Sequence, residues 1–179
     1  MSAFFRRQLR DYVEYHRDPL NCLAHVLGII FLFLGTTIPL TMVPLPGFGG
    51  YGNLAVLMAL PVLVYWLLLD AALGLGITAG AVLLLSTAAM IVQHSGIVGL
   101  WIITIVLIVT GVAAQIIGHR VFEQRQPALV DNPSHFLLGP MFVMAKLFIA
   151  LGFRQDLAAI IGPADGAAPQ AVSPGASDR

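Results

Sequence analysis

All nine Lys and Arg residues of this chain lie at position 17 or before, or at position 120 or after. Between Asp18 and His119 the only charged side chain is Asp70. A helix facing water carries charge on its outer face, so so long an interval without a cation has lipid as its solvent. Composition agrees: 58% of the 179 residues are hydrophobic and 10% charged, with a mean hydropathy of +0.89, beyond the range of soluble domains. The formal net charge is zero, which argues against nucleic acid as a partner, because a phosphate-binding surface needs a net basic face. A single cysteine, Cys22, can form no internal disulfide.

A bilayer core takes about 20 apolar residues of helix. Four stretches qualify as spans, at 22–43, 53–69, 71–92 and 97–118. The second is the shortest and holds Pro61, where a kink is expected. Turn chemistry separates the spans: Pro44, Pro46, Gly47, Gly49 and Gly50 after the first, 93–96 after the third, and only Asp70 between the second and third, which predicts a tight helical hairpin. Basic residues flank the first span on its N-terminal side and the fourth on its C-terminal side. Four spans with that bias place both termini in the cytoplasm. The polar residues before the first span, Asp11 and Glu14 among them, do not fit a cleaved signal peptide. A fifth apolar stretch is interrupted by Gly139-Pro140 and contains Lys146, which predicts a short interfacial or re-entrant helix over about 140–153. The tail 162–179 is rich in Ala, Pro, Gly and Ser and is expected to be disordered. The expected fold is an all-α integral membrane protein: one domain over 1–161, a four-helix transmembrane bundle packed at small residues such as Gly74, Gly76, Gly80, Ala88 and Gly111.

On that topology four of the five histidines share one side. His16 precedes the first span, His25 lies about one turn inside it, His119 ends the fourth, and His135 lies in the linker beyond, whereas His94 falls in a loop across the membrane. Gln115, His119 and Glu123 are spaced i, i+4, i+8, which stacks an amide, an imidazole and a carboxylate on one helical face. Asn21 and His25 repeat the i, i+4 relation, with Asp18 and Pro19 suited to N-cap and N1. Two or three imidazoles with a carboxylate suit a non-haem Fe(II) centre, whose open positions take O2 and substrate; zinc would accept the same ligands. Other readings stay open at this point. Interfacial histidines also serve as hydrogen-bonding anchors, Glu123 could pair with Arg120 or Arg125, and Asn21 and Gln115 could be interhelical glue. His135 and His94 read as structural or solvated. No nucleophile elbow, P-loop, H-E-x-x-H or C-x-x-C is present, so hydrolase and nucleotide chemistry lose support.

The run Tyr12-x3-His16-x2-Pro19-x-Asn21-x3-His25-x2-Gly28, followed by Gln115-x2-Gly118-His119-x3-Glu123 and Pro127-Ala128-Leu129, resembles the small membrane 2-hydroxy fatty acid dioxygenases. The resemblance runs from about Tyr12 to Asp156. Fungal members of that family sit in the endoplasmic reticulum and act in phytosphingosine breakdown, and bacterial members are common. The resemblance implies location in a bacterial inner membrane or the endoplasmic reticulum, and an Fe(II)-dependent α-oxidation. In that reaction O2 attacks a 2-hydroxy acyl chain, which loses its carboxyl carbon and leaves a fatty acid one carbon shorter. It also implies His16, His25 and His119 as iron ligands or their close neighbours, with Asn21, Gln115 and Glu123 supporting them; with the carboxylate on the same side, the expected metal set is His16, His25, His119 and Glu123. Where relatives tend to carry an acid after the Pro140-x-Phe142-Val143 segment, this chain has Lys146, which removes a candidate ligand or supplies a cation for the substrate carboxylate. Two rival classes fit the same residues: a bis-histidine haem b electron carrier using His25 and His119, and a small carrier or structural membrane protein with no metal.

Overall fold

The computed structural model describes residues 2–47, 52–124 and 133–162. These form helices α1 (Ala3–Val13), α2 (Pro19–Thr41), α3 (Leu54–Leu69), α4 (Ala71–His94) and α5 (Ile97–Ile117), the last continuing into a π-helical turn, Gly118–Phe122. A 3-10 turn, Pro133–Leu137, leads into α6 (Leu138–Ala150), and a second, Gln155–Leu157, into the short α7 (Ala158–Ile161). Among the described residues there is no β-strand, only an isolated bridge between Pro44 and Asn53. The all-α membrane bundle expected from the sequence is the fold observed. The expected tail beyond Gly162, with Gly49, Gly50, Arg125 and 127–129, lies outside the described residues.

Three helices, Pro19–Thr41, Ala71–His94 and Ile97–Phe122, are long and apolar enough to cross a membrane. The expected second span is shorter: α3 has 16 residues, about 24 Å at 1.5 Å per residue, and runs unbroken through Pro61. The outward side chains of the bundle are large and apolar, with Leu68 80% and Val98 70% exposed. In water such a surface would be a liability, and in a bilayer it is the contact surface. α2 pairs most extensively with α5, α3 with α4. Gly111 lets α5 close on α2, since a Cβ there would stand 2.8 Å from Leu32 Cγ. Gly80, expected at such a contact, faces open space instead.

Capping explains where the helices begin. Asp18 Oδ1 accepts from the backbone N–H of Leu20 and Asn21, with Pro19 in the first turn of α2, satisfying donors that have no partner inside the helix. Asp70 ends α3 and caps α4 through a 3.1 Å bond from Leu73 N, so one residue makes the whole hairpin turn.

The larger core lies at the Asp70 end of the bundle. There α1 packs on α6 and α7, burying Phe5, Leu9, Tyr12 and Val13. Trp66 Nε1 donates to Leu137 O at 2.7 Å, and Arg154 Nη1 donates to Asp70 Oδ1 at 2.6 Å, which ties the C-terminal helices to the hairpin. The C-terminal segment folds back on itself by 118°, through Gly152 and Arg154, both at positive φ. The expected short helix therefore exists, starting at Leu138 rather than Pro140. The proline sits in the first turn, where its missing N–H costs no bond.

Candidate metal centre

The antiparallel pairing of α2 and α5 brings the start of one beside the end of the other, and the site forms at that junction. His16 hangs from the turn between α1 and α2, His25 lies in the second turn of α2, and His119 in the π-turn that closes α5. Their rings meet edge to face, with centroids 4.5 Å apart for His16 and His25, 4.9 Å for His16 and His119, and 5.8 Å for His25 and His119. One ring nitrogen from each lies within 4.8 Å of those of the other two. His16 and His119 are each 2% exposed.

Hydrogen bonding sets which nitrogens are available. His16 Nδ1 lies 3.1 Å from the carbonyl oxygen of Tyr12. A carbonyl only accepts, so Nδ1 carries the proton and Nε2 keeps its lone pair. His25 Nε2 lies 2.7 Å from the Tyr12 hydroxyl. His16 Nε2, His25 Nδ1 and His119 Nδ1 are buried without any hydrogen-bond partner. Buried polar atoms are nearly always paired, so an orphaned ring nitrogen on each of three histidines whose ligand atoms lie within 4.8 Å of one another fits a divalent metal. Burial, then the nearby His25, pushes the His16 imidazole down to about 2. It is therefore neutral at physiological pH, the form in which imidazole binds metal. Burial raises the Tyr12 hydroxyl far above its ordinary value and keeps it protonated.

Tyr12 is the residue whose role the sequence motif left unspecified. Its ring stacks on His16 at 4.1 Å and 10°, its carbonyl fixes that imidazole's tautomer, and its hydroxyl meets His25. Phe142 closes the site from α6, tilted against His16 at 5.6 Å and Tyr12 at 5.3 Å. Gly139 allows this approach: a Cβ there would stand 3.1 Å from His25 Nε2 and 3.2 Å from Tyr12 Oη.

The other expected residues are placed as follows. Glu123 is drawn away from the three imidazoles: its oxygens accept from the backbone N–H of Arg17 and Asp18, each at 3.0 Å, and from Asn21 Nδ2 at 2.9 Å. The reason is local, since the N-terminus of α2 presents free donors and positive dipole density to a carboxylate. Glu123 thus straps the end of α5 to the start of α2, and the metal-capable group contains the three histidines alone among the described residues. Asn21 links Glu123 to Tyr15 O, and Gln115 Nε2 donates to His25 O at 3.2 Å; both brace the helices that carry the histidines. Gly118 makes room for that brace, because a Cβ would stand 2.5 Å from Asn21 Oδ1. His135, read as structural or solvated, is 4% exposed and sits edge-on to Tyr12 at 5.6 Å and Tyr15 at 6.0 Å; it is not solvated. Lys146 places its ammonium 3.1 Å from Cys22 Sγ and 5.0 Å from the Phe142 ring centre. His94 is exposed at the opposite end of α4, bonded through Nδ1 to Met90 O.

Residues 2–151 match the family described as 2-hydroxy-palmitic acid dioxygenase Mpo1-like. The chain belongs to this family. It is 32% identical over 164 residues to the 2-hydroxy-palmitic acid dioxygenase MPO1 of Saccharomyces cerevisiae, an alignment covering 87% of this chain and 86% of the yeast protein. No solved structure matches the chain. The matched segment includes α1 through α6, hence every element that contributes to the histidine cluster.

Proposed function

We propose that this protein is an Fe(II)-dependent dioxygenase that shortens 2-hydroxy long-chain fatty acids by one carbon through α-oxidation. The observation that carries the proposal is the convergence of three imidazoles, each with a buried, unpartnered nitrogen, at one end of a membrane bundle. The relationship to a yeast protein named for 2-hydroxy-palmitic acid dioxygenation supports the substrate class.

His16, His25 and His119 would hold the metal, and iron bound there would supply open coordination positions at which O2 and a chelating hydroxy acid are activated together. The chain's own groups set up that site. Tyr12 fixes His16 through its carbonyl in the tautomer that leaves Nε2 free, and orients the His25 ring through its hydroxyl. Phe142, Tyr12 and the first turn of α6 cover the cluster and exclude bulk water. The lipid-exposed helices beside it present apolar surface to an acyl chain, while the cluster lies where the polar head of a membrane-embedded acid would reach. The third imidazole weighs against a bis-histidine haem: His16 stands 4.5 and 4.9 Å from the other two rings, in the space a porphyrin would need beside them.

The test is O2 uptake by anaerobically purified, Fe(II)-reconstituted protein. Addition of 2-hydroxypalmitate should start O2 consumption and yield the C15 acid, and palmitate without the hydroxyl should not. A Soret band in the visible spectrum, or no O2 consumption by folded, iron-loaded protein with any 2-hydroxy acid, would overturn the reading.

A further inference from the structure

Lys146 is a cation with no carboxylate partner among the described residues. It lies in α6, half-buried, and among the described residues the ion pairs are made by Arg17 and Arg154, not by Lys146. An ammonium has three donors and is costly to withdraw from water unless paired. Here it meets the thiol of Cys22, a weak acceptor, at 3.1 Å and the face of Phe142 at 5.0 Å. Both contacts lead to the histidine cluster: Cys22 Sγ donates to His16 O at 3.3 Å, and the Phe142 ring lies 5.6 Å from the His16 ring. The next residue, Leu147, is exposed on the surface of α6, so a ligand that reaches the ammonium from that side crosses apolar surface first.

We propose that Lys146 forms a subsite for the carboxylate of a free fatty acid, with Cys22 and Phe142 holding the ammonium in place when no acid is bound. This rests on the dioxygenase reading of the neighbouring cluster and deepens it, since a carboxylate fixed on the His16 flank keeps the α-carbon and its hydroxyl close to the imidazoles. It also assigns the ionised acid, rather than an ester or amide of it, as the form the site accepts.

Binding to metal-free protein in detergent tests the subsite without any turnover. The probes are 2-hydroxypalmitate and its methyl ester, titrated into wild type, Lys146→Met, Lys146→Gln and Lys146→Arg, each checked for unchanged helicity and melting. A lost charge-assisted contact predicts acid affinity falling about tenfold to a hundredfold in both neutral variants, retention of most of it in Lys146→Arg, and ester affinity that does not change across the set. Unchanged acid affinity in a folded neutral variant overturns the proposal, as does a parallel fall for acid and ester, which marks a packing role. A protein that binds acid through Lys146 yet consumes no O2 when iron-loaded keeps this subsite and loses only the dioxygenase reading.

Discussion

At the residue scale, Tyr12 organises two of the three imidazoles at once: it stacks on His16, fixes its tautomer through the carbonyl, and offers a hydroxyl to His25. Tyr12→Phe retains the first two contacts and removes the third. Loss of such a partner behind a ligand typically weakens metal binding about 10- to 100-fold, so chelator competition should show that drop with the fold intact. His94 gives the matching control. His16→Ala, His25→Ala and His119→Ala should each abolish metal retention, whereas His94→Ala, exposed at the other end of α4, should leave metal content and O2 uptake at wild-type level. The three histidines were legible in the sequence because alternating spans bring the start of the first and the end of the fourth to one side. Tyr12's part was not, because stacking depends on the turn at 14–18 that folds α1 back over His16. Nor could spacing decide Glu123: a carboxylate one turn past His119 can reach a metal or the open N–H groups of a facing helix, and only the register of α5 on α2 selects the second.

At the element scale, α1 escaped the sequence reading, since the residues before the first span were read only as a polar lead. Its signal was present: Phe5, Leu9, Tyr12 and Val13 follow an i, i+4, i+7, i+8 stripe and are all buried. The helix is short, and its partners α6 and α7 lie more than a hundred residues away, so the stripe gains meaning only with the tertiary fold. The π-turn was equally hidden. It closes with a bond from Glu123 N to Gly118 O and delivers Glu123 to the start of α2; π-turns recur at functional sites for this kind of re-aiming. If Glu123 is a strap and not a ligand, Glu123→Ala should lower stability by about 1–3 kcal/mol through the stranded N–H and amide donors, seen as a lower melting temperature, while the three-histidine metal stoichiometry persists. Loss of metal from a still-folded Glu123→Ala protein would return Glu123 to the ligand set.

At the scale of the whole molecule, the histidine cluster, the Asp70 turn and the C-terminal helices share one end of the bundle, and the Pro44–Asn53 bridge and the Ser95-Gly96 turn lie at the other. The absence of cations between Asp18 and His119 predicts that the histidine end faces the cytoplasm. In a Cys22→Ser background, a cysteine at Ser2 should react with a membrane-impermeant thiol reagent only from the cytoplasmic side, and one at Gly47 only from the opposite side. The reverse pattern would invert the topology. The bounds expected for the short second span, 53–69, agree with α3 to within one residue, because Asn53 and Asp70 cap it at its two ends. The central claim, that the three clustered imidazoles form a metal centre, is tested most directly by elemental analysis of anaerobically purified protein before and after chelation and Fe(II) reconstitution. The account predicts close to one iron per chain, removed by chelator, restored by Fe(II), and absent in His119→Ala; a folded protein that takes up no metal under those conditions would contradict it.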